Sequence, residues 1–239
     1  MNKTKIENSI CCEASAKKIY AIALDGPSGA GKSTVAKLVA KKLGITYLDT
    51  GALYRALGLV CLNNGVDVKD SAAVEQCIKD VNVNISYRAG VQSVTTDGVD
   101  VSSMIRTPEV SMAASAVSAI PYVRQKLLGL QRGIAENSSV ILDGRDIGTV
   151  VLPNAKFKFF LTASAEVRAR RRYDELIAKG QTVVYEDVYN DVVTRDKNDS
   201  SRAVAPLKCA DDATEIHSDN MTAEEVAEFI CAAVDEGLL

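Results

Sequence analysis

The sequence predicts an α/β fold, a five-stranded parallel sheet flanked by helices with a small antiparallel β insertion. Three observations lead there. A short apolar run, KIYAIALD (18–25), halts at Gly-Pro and gives way to a glycine-rich loop that opens a helical pattern. Strand and helix periods then alternate at the spacing of βαβ units, which favours parallel pairing. Within that rhythm, residues 81–101 switch to apolar–polar alternation, the period of a strand with one wet face.

Each element follows from its own signals. The 18–25 run reads as a buried strand. From Lys32 to Leu43, apolar residues at 35, 38, 39 and 43 keep a helical period that stops at Gly44. Residues 45–48 are a second strand, and a helix from about Ala52 to Asn64 ends at Gly65. Val81, Val83, Ile85 and Tyr87 begin the insertion, where Asp97-Gly98 between two strand-like runs signals a hairpin. Thr107 caps a helix with Pro108 in its first position, and another helix runs from about Pro121 to Glu136. Parallel-sheet strands return at 139–143 (SVILD) and 156–161 (KFKFFL). A cationic helix spans about Ala165 to Lys179, residues 184–195 read as an amphipathic helix, and a strand near 214–217 precedes a helix from Thr222.

Composition narrows the function. A chain of 239 residues, 47% hydrophobic, buries a sizeable core in one domain, here expected over 19–239 with its core at 19–66, 107–164 and 205–239 and its insertion at about 67–106. A net charge of −3 argues against a nucleic-acid polymer as partner, so anion affinity must come from local clusters. The cysteines at 11, 12, 61, 77, 209 and 231 form no C-x-x-C pair, and with one histidine a zinc site is not expected. Residues 1–18 lack the apolar centre of a signal peptide and read as a flexible tail; no run has the length of a membrane span. A cytoplasmic monomer is the expectation.

The most specific signal is GPSGAGKS, Gly26 to Ser33, which matches G-x-x-x-x-G-K-[ST] between a strand and a helix. Glycines at 26, 29 and 31 let backbone N–H groups turn onto phosphates, and the helix that starts at Lys32 adds its positive end. Gly26, Pro27, Ser28, Gly29, Ala30, Gly31, Lys32, Ser33 and Thr34 are therefore the expected loop for a nucleoside triphosphate, which the resemblance given below makes ATP. Lys32 reaches the β- and γ-phosphates and the Ser33 hydroxyl binds Mg²⁺. Asp143, closing SVILD, reads either as support for that metal or as a turn-initiating Asp before Gly144.

A triphosphate loop does not name the acceptor. DTGALYR (49–55) follows the second strand, where a ligand beyond the strand ends would meet Thr50 and Arg55; a capped helix with a solvated arginine is the alternative. Arg168, Arg171 and Arg172 share one face of the cationic helix, either as a solvated face or, as three like charges favour, in contact with the triphosphate. TRDKNDSSRAVAPL (194–207) is one residue away from a guanine-reading Asn-Lys-x-Asp box, but Asp196 stands at its first position and a helical pattern precedes it. A GTP-dependent switch is disfavoured on both counts.

GPSGAGKS, DTGALYR, DGRDIGTVV (143–151) and RAVAPL (202–207) together resemble the bacterial cytidylate kinases, from about Tyr20 to the C-terminus. The resemblance implies a nucleoside monophosphate kinase fold with strand order 2-3-1-4-5 and an antiparallel insertion in the monophosphate-binding region. It implies transfer of the γ-phosphate of ATP to CMP or dCMP, with a mobile lid at about 165–204. By motif, Thr50, Arg55 and Arg145 hold the CMP phosphate; many members have Ser where this chain has Thr50. Ser115, Arg124 and Asp146 read the base, while Arg195, Asp199 and Arg202 grip sugar and phosphates. Catalysis then rests on Lys32, Arg145, Arg195 and Arg202 with Mg²⁺. No general base is required, because an acceptor phosphate with a second pKa near ~6 is already dianionic. A kinase for another pyrimidine monophosphate, AMP or a metabolite such as shikimate is the nearest enzymatic alternative.

Overall fold

The computed structural model describes residues 19–88 and 90–238; the tail expected over 1–18, with Cys11 and Cys12, lies outside them. Strand β1 (Ala21–Asp25) leads through the glycine-rich loop into α1 (Lys32–Leu43), then β2 (Thr46–Asp49) and α2 (Thr50–Asn63). Helix α3 (Ser71–Ile78) precedes the antiparallel strands β3 (Val83–Arg88), β4 (Val91–Thr96) and β5 (Val99–Asp100). Helices α4 (Pro108–Val117) and α5 (Pro121–Asn137) return the chain to β6 (Val140–Asp143). Strand β7 (Phe157–Thr162), helices α6 (Ala165–Ala178) and α7 (Tyr185–Ser200), β8 (Thr214–His217) and α8 (Ala223–Leu238) complete it.

All pairings in the main sheet are parallel, in the order β2-β6-β1-β7-β8. Counting these strands along the chain gives 2-3-1-4-5, the order implied by the resemblance. Both faces of the sheet are covered, which is why its strands are apolar runs. Ile22 and Leu24 of β1 pack with α1 and α8, whereas Ala23, between them, faces Leu142 and Ile147 on the other side. A third core joins α2, α4 and α5 to Val83 and Val94 of the antiparallel sheet, so the insertion shares its core with the main domain.

Local chemistry sets the boundaries. The Thr107 hydroxyl accepts from Val110 N–H ahead of Pro108, as a cap with proline at the first helical position requires. Asp97 and Gly98 both have positive φ, 50° and 83°, the conformation of a two-residue hairpin turn between paired Thr96 and Val99. Two features had not been expected. Helix α3 is only eight residues long, capped by Asp70 and seated by Val74 and Ile78. After β6, a π-type turn at Ile147–Val151 closes on the Asp146 carbonyl, which accepts from Val150 and Val151 N–H. Helix α7 also runs past residue 195 to Ser200, so the DKND sequence is helical and does not follow a strand. No helix among the described residues is long and apolar enough to cross a membrane.

Candidate active site

The carboxyl ends of β2, β6 and β7 face a cleft of about 770 Å³. One end is the glycine-rich loop. Gly26 has φ 145°, and a Cβ there would lie 1.9 Å from the Leu161 carbonyl oxygen, so the loop can start only at glycine. Lys32, buried at the start of α1, donates from Nζ to the Gly26 and Pro27 carbonyls, 2.7 Å each. Burial, then the nearby Arg145, pushes its pKa well below the usual lysine value, while Asp143 and Asp25 oppose the shift.

Ser33 Oγ donates to Asp143 Oδ2 at 2.7 Å, and Tyr47 donates to Oδ1 at 3.2 Å. Burial, then the neighbouring Asp49, raises the Asp143 pKa to about 6. A hydroxyl and a carboxylate held together beside the loop are hard oxygen donors, a pair whose chemistry fits Mg²⁺. Asp25 serves a different purpose. It accepts from Ile147 N (2.8 Å) and Gly148 N (2.7 Å), fixing the turn after β6 against β1.

The other end of the cleft is cationic. Arg145 Nε donates to Asp199 Oδ2 at 2.8 Å, and Arg202 pairs with Asp199 Oδ1. Arg195 on α7 lines the same space; burial and then Arg145 lower its pKa to about 10, against the pull of Asp199. The Nε groups of Arg195 and Arg55 are buried with no hydrogen-bond partner among the described residues. Arg55 Nη2 is held by Asp49 Oδ2 at 2.7 Å, and Arg106 reaches the same oxygen at 3.2 Å. Thr50 spends its hydroxyl on the Asp143 carbonyl at 2.7 Å, which locks the start of α2 against β6.

Between these ends, Arg124 pairs with Asp146 while its Nη1 donates to Ser118 O at 3.1 Å and its guanidinium lies over the Tyr54 ring. Burial raises the Asp146 pKa and Arg124 opposes the shift. Arg202 Nη2 approaches Ser115 Oγ at 3.5 Å. Arg124 and Asp146 are a buried donor and acceptor side by side, the complement of a heterocycle edge that offers both.

Most of the expected residues line this cleft, but Gly26, Pro27 and Arg168 do not. Arg168 corrects an expectation. Its helical spacing with Arg171 and Arg172 is as read, yet its guanidinium is buried and committed to Asp196, Ser28 O and Ala163 O instead of opening to the triphosphate. Arg171 donates to Ser218 O at 2.6 Å, Arg172 to Glu175 at 2.8 Å, and both border the cleft.

Sequence reading missed Asp49, Arg106 and Gln92. Gln92 of β4 accepts from Asp49 N–H at 2.8 Å and donates to Asp49 O at 3.2 Å, pairing the insertion with the end of β2. Arg106 carried a usable signal, a lone arginine just before the Thr107 cap. Gln92 carried none.

The sequence profile of the family described as cytidylate kinase matches residues 22–236. A cytidylate kinase from Caldicellulosiruptor saccharolyticus is 50% identical over 214 residues, covering 90% of this chain and 94% of its own. One from Fervidobacterium nodosum is 51% identical over 217 residues, covering 90% and 96%. Among solved structures, a shikimate kinase from Bacteroides thetaiotaomicron aligns with a TM-score of 0.44 at 15% identity, over 92% of this chain and 98% of that one.

Proposed function

This chain belongs to the cytidylate kinase family, and we propose that it transfers the γ-phosphate of ATP to CMP or dCMP, giving ADP and CDP or dCDP. The observation that carries the reading is the continuity of the cleft. A triphosphate loop at one end and the arginines of α2, α7 and the β6 loop at the other share one space. That arrangement suits in-line transfer between two phosphates.

ATP lies on the loop from Gly26 to Thr34, with Lys32 leaving the Gly26 and Pro27 carbonyls to meet the phosphates. Ser33 and Asp143 hold Mg²⁺, which neutralises charge on the phosphates when bound. Arg171 and Arg172 border the donor side. Arg55, Arg145 and Arg202 take the acceptor phosphate, with Thr50 setting the helix start beside it. Arg195, Arg145 and Arg202 neutralise the transferring group, and Asp199 grips the sugar. Burial, and after it the neighbouring Arg145, lowers the pKa values of Lys32 and Arg195, so entering phosphates supply the counter-charge that these buried cations lack.

Base choice follows from Arg124 and Asp146. Cytosine offers an N4 amino donor to the carboxylate and acceptors at N3 and O2, to which Arg124 and Ser115 can donate hydrogen bonds. Uracil reverses the pattern at N3 and position 4 and leaves an ionised Asp146 against an acceptor, a mismatch of about 1–3 kcal/mol. Closure of the 165–204 segment over both nucleotides excludes water, which would otherwise hydrolyse ATP. The protein works as a cytoplasmic monomer. The test is ADP release from ATP-Mg²⁺ with CMP, dCMP, UMP and AMP; equal use of all four acceptors would overturn the base-reading assignment.

A further inference from the structure

Arg168 is a buried cation that phosphate transfer, as derived above, leaves without a role. It lies in the first turn of α6 and is 4% exposed. Its Nε donates to Ala163 O at 2.9 Å and its Nη1 to Ser28 O at 2.9 Å. Nη1 also donates to Asp196 Oδ1 at 3.0 Å, while Nη2 takes the other oxygen, closing a bidentate pair. Ser28 belongs to the triphosphate loop, and its neighbour Gly29 is pressed on the same residue. A Cβ at Gly29 would lie 3.2 Å from Arg168 Cβ and 3.3 Å from its carbonyl oxygen.

Asp196 is the residue after Arg195 on α7 and stands three before Asp199, less than one helical turn away. One guanidinium therefore touches the donor loop and the helix that carries the acceptor clamp. The far end of α7 is held differently, by Tyr185 and Tyr189 hydroxyls on Glu166 and by Arg170 over the Tyr185 ring.

We propose that Arg168 and Asp196 are positioning residues that set the distance and angle between the triphosphate loop and the Arg195–Asp199–Arg202 clamp. In-line transfer depends on that alignment, and a displacement of about 1 Å can cost on the order of 100-fold in rate. The fork is essential to this role. An arginine–carboxylate pair fixes two atoms in a plane, which a lysine ammonium cannot do. With its charge neutralised by Asp196 and its N–H groups on protein oxygens, Arg168 acts on the phosphates through Ser28 and α7 and not by contact.

The inference rests on the kinase reading, and the experiment separates the two. Purified full-length wild type, Asp196→Asn, Arg168→Lys and the double variant are compared for kcat, for KM of ATP and of CMP, and for ADP released per CDP formed. Each single variant is expected to lose about 10- to 100-fold in kcat, with KM for ATP within about two-fold of wild type. ADP release should exceed CDP formation in both, because misaligned phosphate is lost to water. The double variant should be no worse than either single one, as expected for a shared pair. Asp196→Glu, which keeps the carboxylate, should recover part of the rate and remains informative if Asp196→Asn does not fold. Wild-type kcat and coupling in Asp196→Asn would overturn the proposal. So would a raised KM for ATP in Arg168→Lys alone, which marks direct triphosphate contact. A wild type that makes no CDP would overturn the kinase reading itself.

Discussion

Arg145 and Asp199 meet across the cleft, the Nε of one donating to Oδ2 of the other at 2.8 Å and joining the loop after β6 to the last turn of α7. Asp199 is 1% exposed and also accepts from Arg202. Burial alone would raise its pKa, but Arg145 and Arg202 outweigh burial and hold it below the usual carboxylate value. Asp199 is thus the internal counter-charge of the arginine cluster. Asp199→Ala is expected to cost about 3–5 kcal/mol of stability by leaving buried cations unpaired. Inorganic phosphate should raise the melting temperature of this variant more than that of the wild type. An equal phosphate effect on both would show that Asp199 does not balance the cluster.

Asp146→Asn should erode the preference for CMP over UMP by about 1–3 kcal/mol while changing KM for ATP little. The same carboxyl predicts a pH effect. Its pKa is raised by burial, so it takes up a proton at a higher pH than an ordinary aspartate. Ionised, it accepts from the cytosine amino group; protonated, it can donate to uracil O4. The ratio of kcat/KM for CMP to that for UMP is therefore expected to fall as pH is lowered. Titration of the acceptor phosphate is common to both substrates and cancels in the ratio. A ratio that is flat or rises toward acid pH would contradict the assignment.

Lys32→Met is expected to reduce kcat by about 100- to 1,000-fold, the scale for loss of one preorganised charge at a transferring group. Lys32→Arg should not restore it. The ammonium fits between two carbonyls at 2.7 Å, a point-charge site that a planar guanidinium does not match. Single-turnover rates with melting curves as a folding control would decide this.

Gln92→Ala removes both hydrogen bonds that tie β4 to the Asp49 backbone. Asp49 holds Arg55 and Arg106, so loosening it should displace the acceptor arginines. The expected result is a rise in KM for CMP equivalent to about 1–2 kcal/mol, with KM for ATP unchanged. An unchanged KM for CMP would confine Gln92 to a structural role.

Arg202→Ala should weaken acceptor use and leave ATP binding nearly intact, because its partners Asp199 and Ser115 lie on the acceptor side. Equilibrium binding of ATP to the variant checks this directly. Loss of ATP affinity alone would reassign the residue to the donor site.

What could be read from the chain was what local chemistry encodes. GPSGAGKS and the start of α1 at Lys32 follow from glycine conformations and helix periodicity, and Thr107-Pro108 and Asp97-Gly98 from capping and turn rules. Helix α3 left a weaker trace, a lone Asp70 cap with Val74 and Ile78 one turn apart, too short to register as a period. The π-type turn after β6 left none, since it is shaped by Asp25 from a distant strand accepting from Ile147 and Gly148.

The sequence by itself determined the parallel sheet with its insertion, the triphosphate loop, and a motif set identifying the family. Tertiary structure alone decided where the charges go. Arg168 and Arg171 look alike on one helix face, but one is buried on Asp196 and the other borders the cleft. Lys197 and Asn198, which suggested a guanine box, are exposed on α7, while beside them Asp196 holds Arg168 and Asp199 holds Arg145 and Arg202. The physical reason is that helical spacing fixes which residues share a face, whereas the partner of a buried charge is set by whichever distant element supplies the opposite charge at hydrogen-bonding distance.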